Sequence, residues 1–340
     1  MVAVLPVGDP LAPHQFLVEL KSHAPAHVLA RLCHAWQQVP DLKACVPSSD
    51  RLLRMHQGQP IRVPADALAM PGRLDPLLRL AGMAAGLQPW ASGRCGLALQ
   101  VHDEEPCEAA ALRLDAPAGC ASAQCGVIPD PYCLGSRGYL LFRRALAAAP
   151  PPPWRQRRPV AIWRGATTGS RAITPARLAA NPRVQLCEHS RRWPDRFDAR
   201  ITSVVQCRDA EAQQAVTREL EGRGLLAPVL EPLEMAQCRW IFDIDGNVNS
   251  WGLLWKLLSG SCVLRVESRR GQWYHHRLQP YRHLVPIRAD LSDLEQQLDW
   301  CLANPEACEA IAAAAQQLAL DVLEGLGVDL LTALRWSLNA

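Results

Sequence analysis

The chain has 340 residues, 49% of them hydrophobic and 20% charged, with a formal net charge of +3. This composition excludes a disordered or fibrous chain and fits a soluble globular protein of about two domains. A nearly balanced charge without a basic tail or cationic stripe also argues against nucleic acid as a partner. Only Lys21, Lys43 and Lys256 are lysines, so the planar, always-charged guanidinium is the cation available for phosphates or carboxylates; a compositional bias of the genome gives the same excess. No apolar run approaches the roughly 20 residues of an integral membrane segment, because Lys256 and Arg265 interrupt the richest stretch. The first nine residues lack the features of a secretory leader, so the expected location is cytoplasmic, with a peripheral place at the membrane left open. Thirteen cysteines, an odd number without paired repeats, read as reduced and mostly buried thiols.

Taken in chain order, residues 25–37 and 74–85 read as helices, and residues 96–102 and 110–114 as short strands. A helical segment over residues 139–149 runs into Pro150-Pro151-Pro152-Pro153, which cannot continue a helix and stiffens the chain. This places a domain boundary near residue 155, although a proline-rich loop inside one domain has the same sequence. Val160-Ala161-Ile162-Trp163 suits a buried strand, residues 175–180 a helix, and Arg183-Val184-Gln185-Leu186-Cys187 a returning strand. The pattern repeats with a strand at Trp240-Ile241-Phe242-Asp243, a helix opening at Ser250 and a left-handed cap at Gly260. A strand over residues 261–266 follows, then helical spacing over residues 291–303, 305–323 and 328–338. The second half therefore reads as alternating β and α elements.

In such sheets ligands bind beyond the carboxyl ends of the strands, and three polar clusters fall there. Arg164-Gly165-Ala166-Thr167-Thr168-Gly169-Ser170-Arg171 offers glycines for close backbone approach, hydroxyls and amides for phosphate oxygens, and two arginines to neutralise them. A solvated loop with incidental arginines would look alike, and the segment is neither a Walker loop nor G-x-G-x-x-G. Asp243-Ile244-Asp245-Gly246-Asn247-Val248-Asn249-Ser250-Trp251 combines two carboxylates in D-x-D spacing with a turn and a Ser cap. D-x-D can hold a divalent cation through nucleotide phosphates, or its carboxylates can cap local amides. In the third cluster, Arg265-Val266-Glu267 precedes Trp273-Tyr274-His275-His276; a carboxylate there can accept ribose hydroxyls and an aromatic can stack on a base. Adjacent His275 and His276 point in different directions, so polar surface or supporting roles suit them better than metal ligation.

The order of motifs carries more than any one of them. Trp163-Arg164-Gly165, Asp198-Ala199-Arg200, Trp240 to Asn247 with Ser250-Trp251, Leu258-Ser259-Gly260-Ser261-Cys262-Val263-Leu264, then Trp273-Tyr274 with Leu278 to Ile287 and Asp290 to Leu294 together resemble glycosyltransferase family 90. That family includes Rumi-type protein O-glucosyltransferases, capsule xylosyltransferases and bacterial surface-glycan or lipopolysaccharide members. The resemblance runs from about residue 125 to 315. It implies an α/β, GT-B-like architecture of two Rossmann-like domains facing a cleft: an acceptor-side domain over residues 1–155 and a nucleotide-sugar-binding domain over 156–325. Residues 326–340 form a C-terminal helix, for which packing back on the N-terminal domain is one arrangement.

The resemblance further implies a hexosyl- or pentosyltransferase that moves a sugar from a UDP-sugar donor, with inversion, to a hydroxyl of a surface glycan, lipid-linked sugar or protein. No cofactor and no essential metal are expected, and the oligomeric state is left open. Donor contacts are expected from Arg164, Gly165, Thr167, Thr168, Arg171, Asp243, Asp245, Gly246, Asn247, Ser250, Trp251, Gly260, Ser261, Arg265 and Glu267. In this reading Asp243 and Asp245 shape the loop or bind donor rather than hold metal. The family's acceptor base is an aspartate in a segment resembling Asp-Ile-x-x-Pro; aligning its proline with Pro129 puts Cys125 at the aspartate position. Asp130, with Asp115 as alternative, is the expected catalytic carboxylate. A nucleotide-sugar-binding protein of the same fold without turnover is the competing reading.

Overall fold

The computed structural model describes residues 46–56, 61–85, 96–103 and 109–339; the helix expected over 25–37 lies outside them. The chain forms two compact units. One comprises residues 1–116, 122–138 and 322–340, the other residues 117–121 and 139–321. The change of unit thus falls between residues 138 and 139, not near 155. The polyproline run lies inside the second unit, where Arg157 Nε donates to the Pro152 carbonyl (3.0 Å) and Nη1 donates to the Ser259 carbonyl (3.2 Å) and Ser261 Oγ (3.1 Å).

In the first unit, β1 (Val46–Ser48), β3 (Arg62–Pro64), β2 (Leu52–His56) and β4 (Gly96–Gln100) form a mixed sheet in that order, with only β1 and β3 parallel. Helix α1 (Pro71–Ala85) buries Leu74, Leu77, Leu78 and Ala81, one apolar face at helical spacing. Residues 110–114 make isolated bridges through Leu112 and Arg113 rather than a strand. After the short β5 (Ala116–Pro117) and α2 (Pro131–Gly135), the chain enters the second unit at α3 (Leu140–Ala148).

The main sheet of the second unit has five strands: β6 (Arg158–Ala166), β7 (Phe197–Ser203), β8 (Cys238–Asp243), β9 (Cys262–Val266) and β11 (Val285–Ile287). They form one parallel sheet in the order β11-β9-β8-β6-β7. The two-residue β10 (Arg270–Gly271) lies outside it. Numbered within the unit the order is 2-1-3-4-5, the doubly wound arrangement, with helices α4 (Pro182–Arg192), α5 (Ala210–Gly222), α6 (Pro232–Met235) and α7 (Leu253–Leu258) in the crossovers. Burial of all but one residue in each of β8 and β9, Arg239 and Arg265, is what two covered faces require. Their core joins Trp163, Phe197, Trp240 and Phe242 to α8 (Leu294–Ala303) and α9 (Pro305–Glu324). The last helix, α10 (Leu326–Asn339), belongs to the first unit; there Trp336 occupies the space where a Cβ on Gly126 would sit, 2.1 Å from the ring, and Gly126 has φ of 73°.

Two expected elements differ. Residues 183–187 belong to α4, not a strand. The Asn181 side chain caps the helix by accepting from the amides of Arg183 (3.0 Å) and Val184 (3.2 Å), with Pro182 at its first position. Five residues with apolar positions 184, 186 and 187 satisfy both periods, and the long-range packing decides. The helix after β8 begins at Leu253, three residues beyond Ser250, whose hydroxyl is engaged elsewhere. Gly260 does take the left-handed conformation, with φ of 70°. Nine cysteines lie among the described residues, all free and six buried, as packing thiols. No helix among these residues is long and apolar enough to cross a membrane.

Candidate nucleotide-sugar site

In the order 2-1-3-4-5 the chain reverses direction across the sheet between β6 and β8, and at such a switch point ligands of doubly wound sheets bind beyond the carboxyl ends of the strands. The loops after β6 and β8 touch. Gly169, at φ of 103°, donates its amide to Asn247 Oδ1 (3.2 Å), joining residues 78 apart in sequence. A Cβ on Gly246 would stand 2.7 Å from Thr168 Oγ1, so this approach needs glycine. Thr167 is fully buried and anchors the first loop, its hydroxyl donating to the Val205 carbonyl and accepting from the Val205 amide, both at 2.9 Å.

The clamp between the loops is Arg183, on the first turn of α4. Its guanidinium donates to the carbonyls of Asp245 (2.8 Å), Ala166 (3.1 Å) and Ile244 (3.2 Å), and lies 5.5 Å from the centroid of the Trp163 ring. Burial pulls its pKa down to about 10 against the opposing charges of Asp243 and Asp245. Asn181 supports the same loop through Nδ2, which donates to the Thr167 carbonyl at 2.8 Å. A sequence read as a strand at 183–187 hides Arg183; the Asn-Pro pair before it is the signal that exposes a helix start.

Below the second loop, Asp243 is 1% exposed and its Oδ1 accepts from Ser250 Oγ (2.6 Å) and Lys256 Nζ (2.7 Å). Arg265 Nε stands 3.9 Å from Oδ2. Two cations and a hydroxyl thus neutralise this carboxylate within the fold. Asp245 Oδ1 accepts from the Ser250 amide (3.1 Å); burial raises its pKa to about 6, opposed by Ser268 and Arg265. Among the described residues no group of three His, Cys, Asp or Glu is placed to hold a metal ion. Trp251 is buried and its carbonyl accepts from Tyr139 Oη (3.1 Å), while Glu267 is exposed just past β9.

The remaining expected residues are placed otherwise. Arg164 Nη2 is 2.6 Å from Asp198 Oδ2, and its Nη1 donates to the Asp198 and Trp163 carbonyls, so this arginine ties β6 to β7. Gly165 leaves room for the Trp163 ring, 2.5 Å from where its Cβ would be. Arg171 remains exposed on the loop. Gly260 and Ser261 precede β9, and Ser261 Oγ donates to the carbonyl of Cys238, the first residue of β8. They sit at the amino end of a parallel sheet, about 15 Å of strand away from the loops at its carboxyl end, and are corrected from donor contacts to scaffold. Asp115 and Asp130 are both fully buried in the first unit. Asp130 caps α2, its Oδ1 accepting from the amides of Tyr132 (2.9 Å) and Cys133 (3.0 Å), and burial pushes its carboxyl up to about 7.

A doubly wound sheet with polar loops clamped together at its reversal point defines the class of α/β protein. The chain belongs to glycosyl transferase family 90, whose sequence profile matches residues 139–329, more than half its length. Among curated relatives, "Uncharacterized protein 179R" of Invertebrate iridescent virus 6 is 30% identical over 176 residues, 47% of this chain and 15% of that protein. Protein O-glucosyltransferase 3 of Homo sapiens is 29% identical over 154 residues, 45% of this chain and 28% of that one. The chain spans less than a third of the length of these relatives. They are viral and human, and lend no support to a bacterial surface-glycan setting. Among solved structures, Anabaena Alr3699/HepE in complex with UDP-glucose aligns at a TM-score of 0.36 and 11% identity, over 51% of this chain and 48% of that one.

Proposed function

We propose that this chain transfers a sugar from a UDP-sugar to an acceptor hydroxyl with inversion. The observation that carries the reading is the pair of polar loops at the reversal of the sheet, which Arg183 and Gly169 hold together, in a chain of glycosyl transferase family 90. A base takes the acceptor proton as the acceptor oxygen attacks the anomeric carbon; the bond from that carbon to the diphosphate breaks and UDP leaves with the electron pair. Loop amides and the exposed Arg171 supply stabilisation for the leaving diphosphate. A mechanism without metal is supported by Asp243, whose charge Lys256 and Arg265 already answer. Asp130 is the proposed base, with Asp115 as alternative; a carboxyl with a pKa of about 7 suits proton transfer near neutrality. The name of the human relative favours glucose and a protein hydroxyl, with glycan and lipid-linked acceptors in the same chemical class.

A second reading, nucleotide-sugar binding without turnover, is favoured by Cys125 at the position of the family aspartate. Incubation with UDP-glucose, UDP-xylose, UDP-galactose and UDP-glucuronate, with release of UDP as the readout, separates the two. Release from one donor, accelerated by an acceptor, is the expected result. Tight binding of a donor with no release in the presence of protein, glycan and lipid-linked acceptors supports the second reading.

A further inference from the structure

Helix α3 is turned the wrong way for a helix on a water-facing surface. It packs against α6 and sets the Phe142 ring edge-on to Trp255 of α7, with 5.9 Å between centroids and 84° between planes. At about 100° per residue, Leu140, Arg144, Ala147 and Ala148 fall on the side opposite Phe142, with Leu141 beside them. A surface helix normally keeps its outer side polar, and here Arg144 is the one polar residue on it. No residue of α3 is buried, and Leu141 is 49% exposed. The exposed apolar surface continues past the helix through Ala149, Pro150 and Pro153.

The nearly neutral total charge hides a local imbalance, since from Pro131 to Val160 the sequence holds six arginines and no acidic residue. Arg137 belongs to the first unit, Arg157 is engaged with Ser259 and Ser261, and Arg155 pairs with Glu309 (2.8 Å) and Glu306 (3.3 Å) of α9. Arg143 and Arg144 stand half-buried on α3 itself. On the adjoining α6 the carboxylates are Glu231 and Glu234, which form its capping box; Glu234 Oε2 accepts from the Glu231 amide (2.7 Å). Apolar side chains bordered by arginines match the headgroup region of an anionic bilayer, where the former enter the acyl boundary and the guanidiniums reach phosphates. A second copy of the chain fits less well, because a two-fold interface through α3 sets Arg143 and Arg144 against the same arginines. A nucleic acid would meet the arginines but leave Leu141 and the prolines against a polyanion.

We propose that α3 and the proline run after it dock the second unit onto an anionic bilayer, with Leu140, Leu141 and Pro150 in the headgroup boundary and Arg143 and Arg144 on lipid phosphates. The inference is independent of the UDP-sugar reading. The full chain is sedimented with vesicles of phosphatidylcholine, with and without phosphatidylglycerol, at low and high salt. Leu141→Asp and the double variant Arg143→Gln with Arg144→Gln are compared with the wild type, and each protein is melted without lipid. The wild type is expected to sediment with the anionic vesicles, less so at high salt, and not with the neutral ones. Each variant should lower the partition coefficient at least about tenfold at an unchanged melting temperature. If Leu141→Asp melts lower, Ala147→Glu, on the exposed outer side, takes its place. A wild type that stays in the supernatant with anionic vesicles, equal binding to both compositions, or wild-type binding by either variant overturns the proposal. So does a dimer, seen by light scattering, that Leu141→Asp dissociates, which would give the surface to a second copy.

Discussion

Arg183 and Asp245 meet through a hydrogen bond of 2.8 Å from a guanidinium on the first turn of α4 to the backbone carbonyl of the loop after β8. The same guanidinium holds the carbonyl of Ala166, the last residue of β6, so one side chain sets the spacing of the two loops that follow β6 and β8. Three directed donors fit an arginine fork and not a lysine.

Arg183→Ala is expected to destabilise the fold by about 3 kcal/mol, since buried carbonyls lose charged donors, and to weaken UDP binding at temperatures where it remains folded. Arg183→Lys should fall between the two. Urea unfolding and titration with UDP check this; unchanged UDP affinity in a folded Arg183→Ala protein removes the clamp from donor binding.

Arg164 and Arg171 should separate. Arg164→Ala breaks the pair with Asp198 and is expected to lower stability with little effect on UDP affinity in the folded fraction. Arg171→Ala, on the exposed loop, should weaken UDP by one charge-assisted contact of about 1.5–3 kcal/mol. Equal effects of both substitutions on UDP affinity would return Arg164 to the site.

Lys256→Met leaves Asp243 buried at 1% exposure with its closest cation gone, and a loss of about 3–5 kcal/mol is expected. The double change with Asp243→Asn should recover much of that loss, measured by urea midpoint. UDP release in excess EDTA is the accompanying measurement: the engaged carboxylate predicts that it persists, and restoration only by Mn²⁺ or Mg²⁺ would give Asp243 and Asp245 back to a metal.

Asp130→Asn separates capping from base chemistry, because asparagine caps a helix as well as aspartate does. Turnover should fall by at least about a hundredfold while UDP affinity stays within about twofold. Stability supplies a second readout. The folded pKa of about 7 lies above the ordinary value of 3.8, so the folded state holds the proton more tightly and this group lowers stability as pH rises from about 4 to 7. The full shift corresponds to roughly 4 kcal/mol. Asp130→Asn should lose that downward slope in pH-dependent unfolding. If turnover survives, Asp115→Asn is the variant to measure.

Much of the second unit was legible in sequence because its signals are local. The buried run Val160-Ala161-Ile162-Trp163, the strand ending at Asp243, the left-handed Gly260 and the two helices after residue 293 each follow from a few neighbouring residues. The motif order also pointed to glycosyltransferase family 90. Tertiary structure decided the rest. Whether residues 183–187 were strand or helix rested on the cap from Asn181 and on packing against β7. That Arg164 binds Asp198, that Ser261 sits at the far end of the sheet, and that Gly169 meets Asn247 all depend on the lateral order of the strands. Strand order is a property of long-range burial, which composition and periodicity along the chain do not encode residue by residue; the partners of a charged side chain follow from it and become definite only when the sheet is assembled.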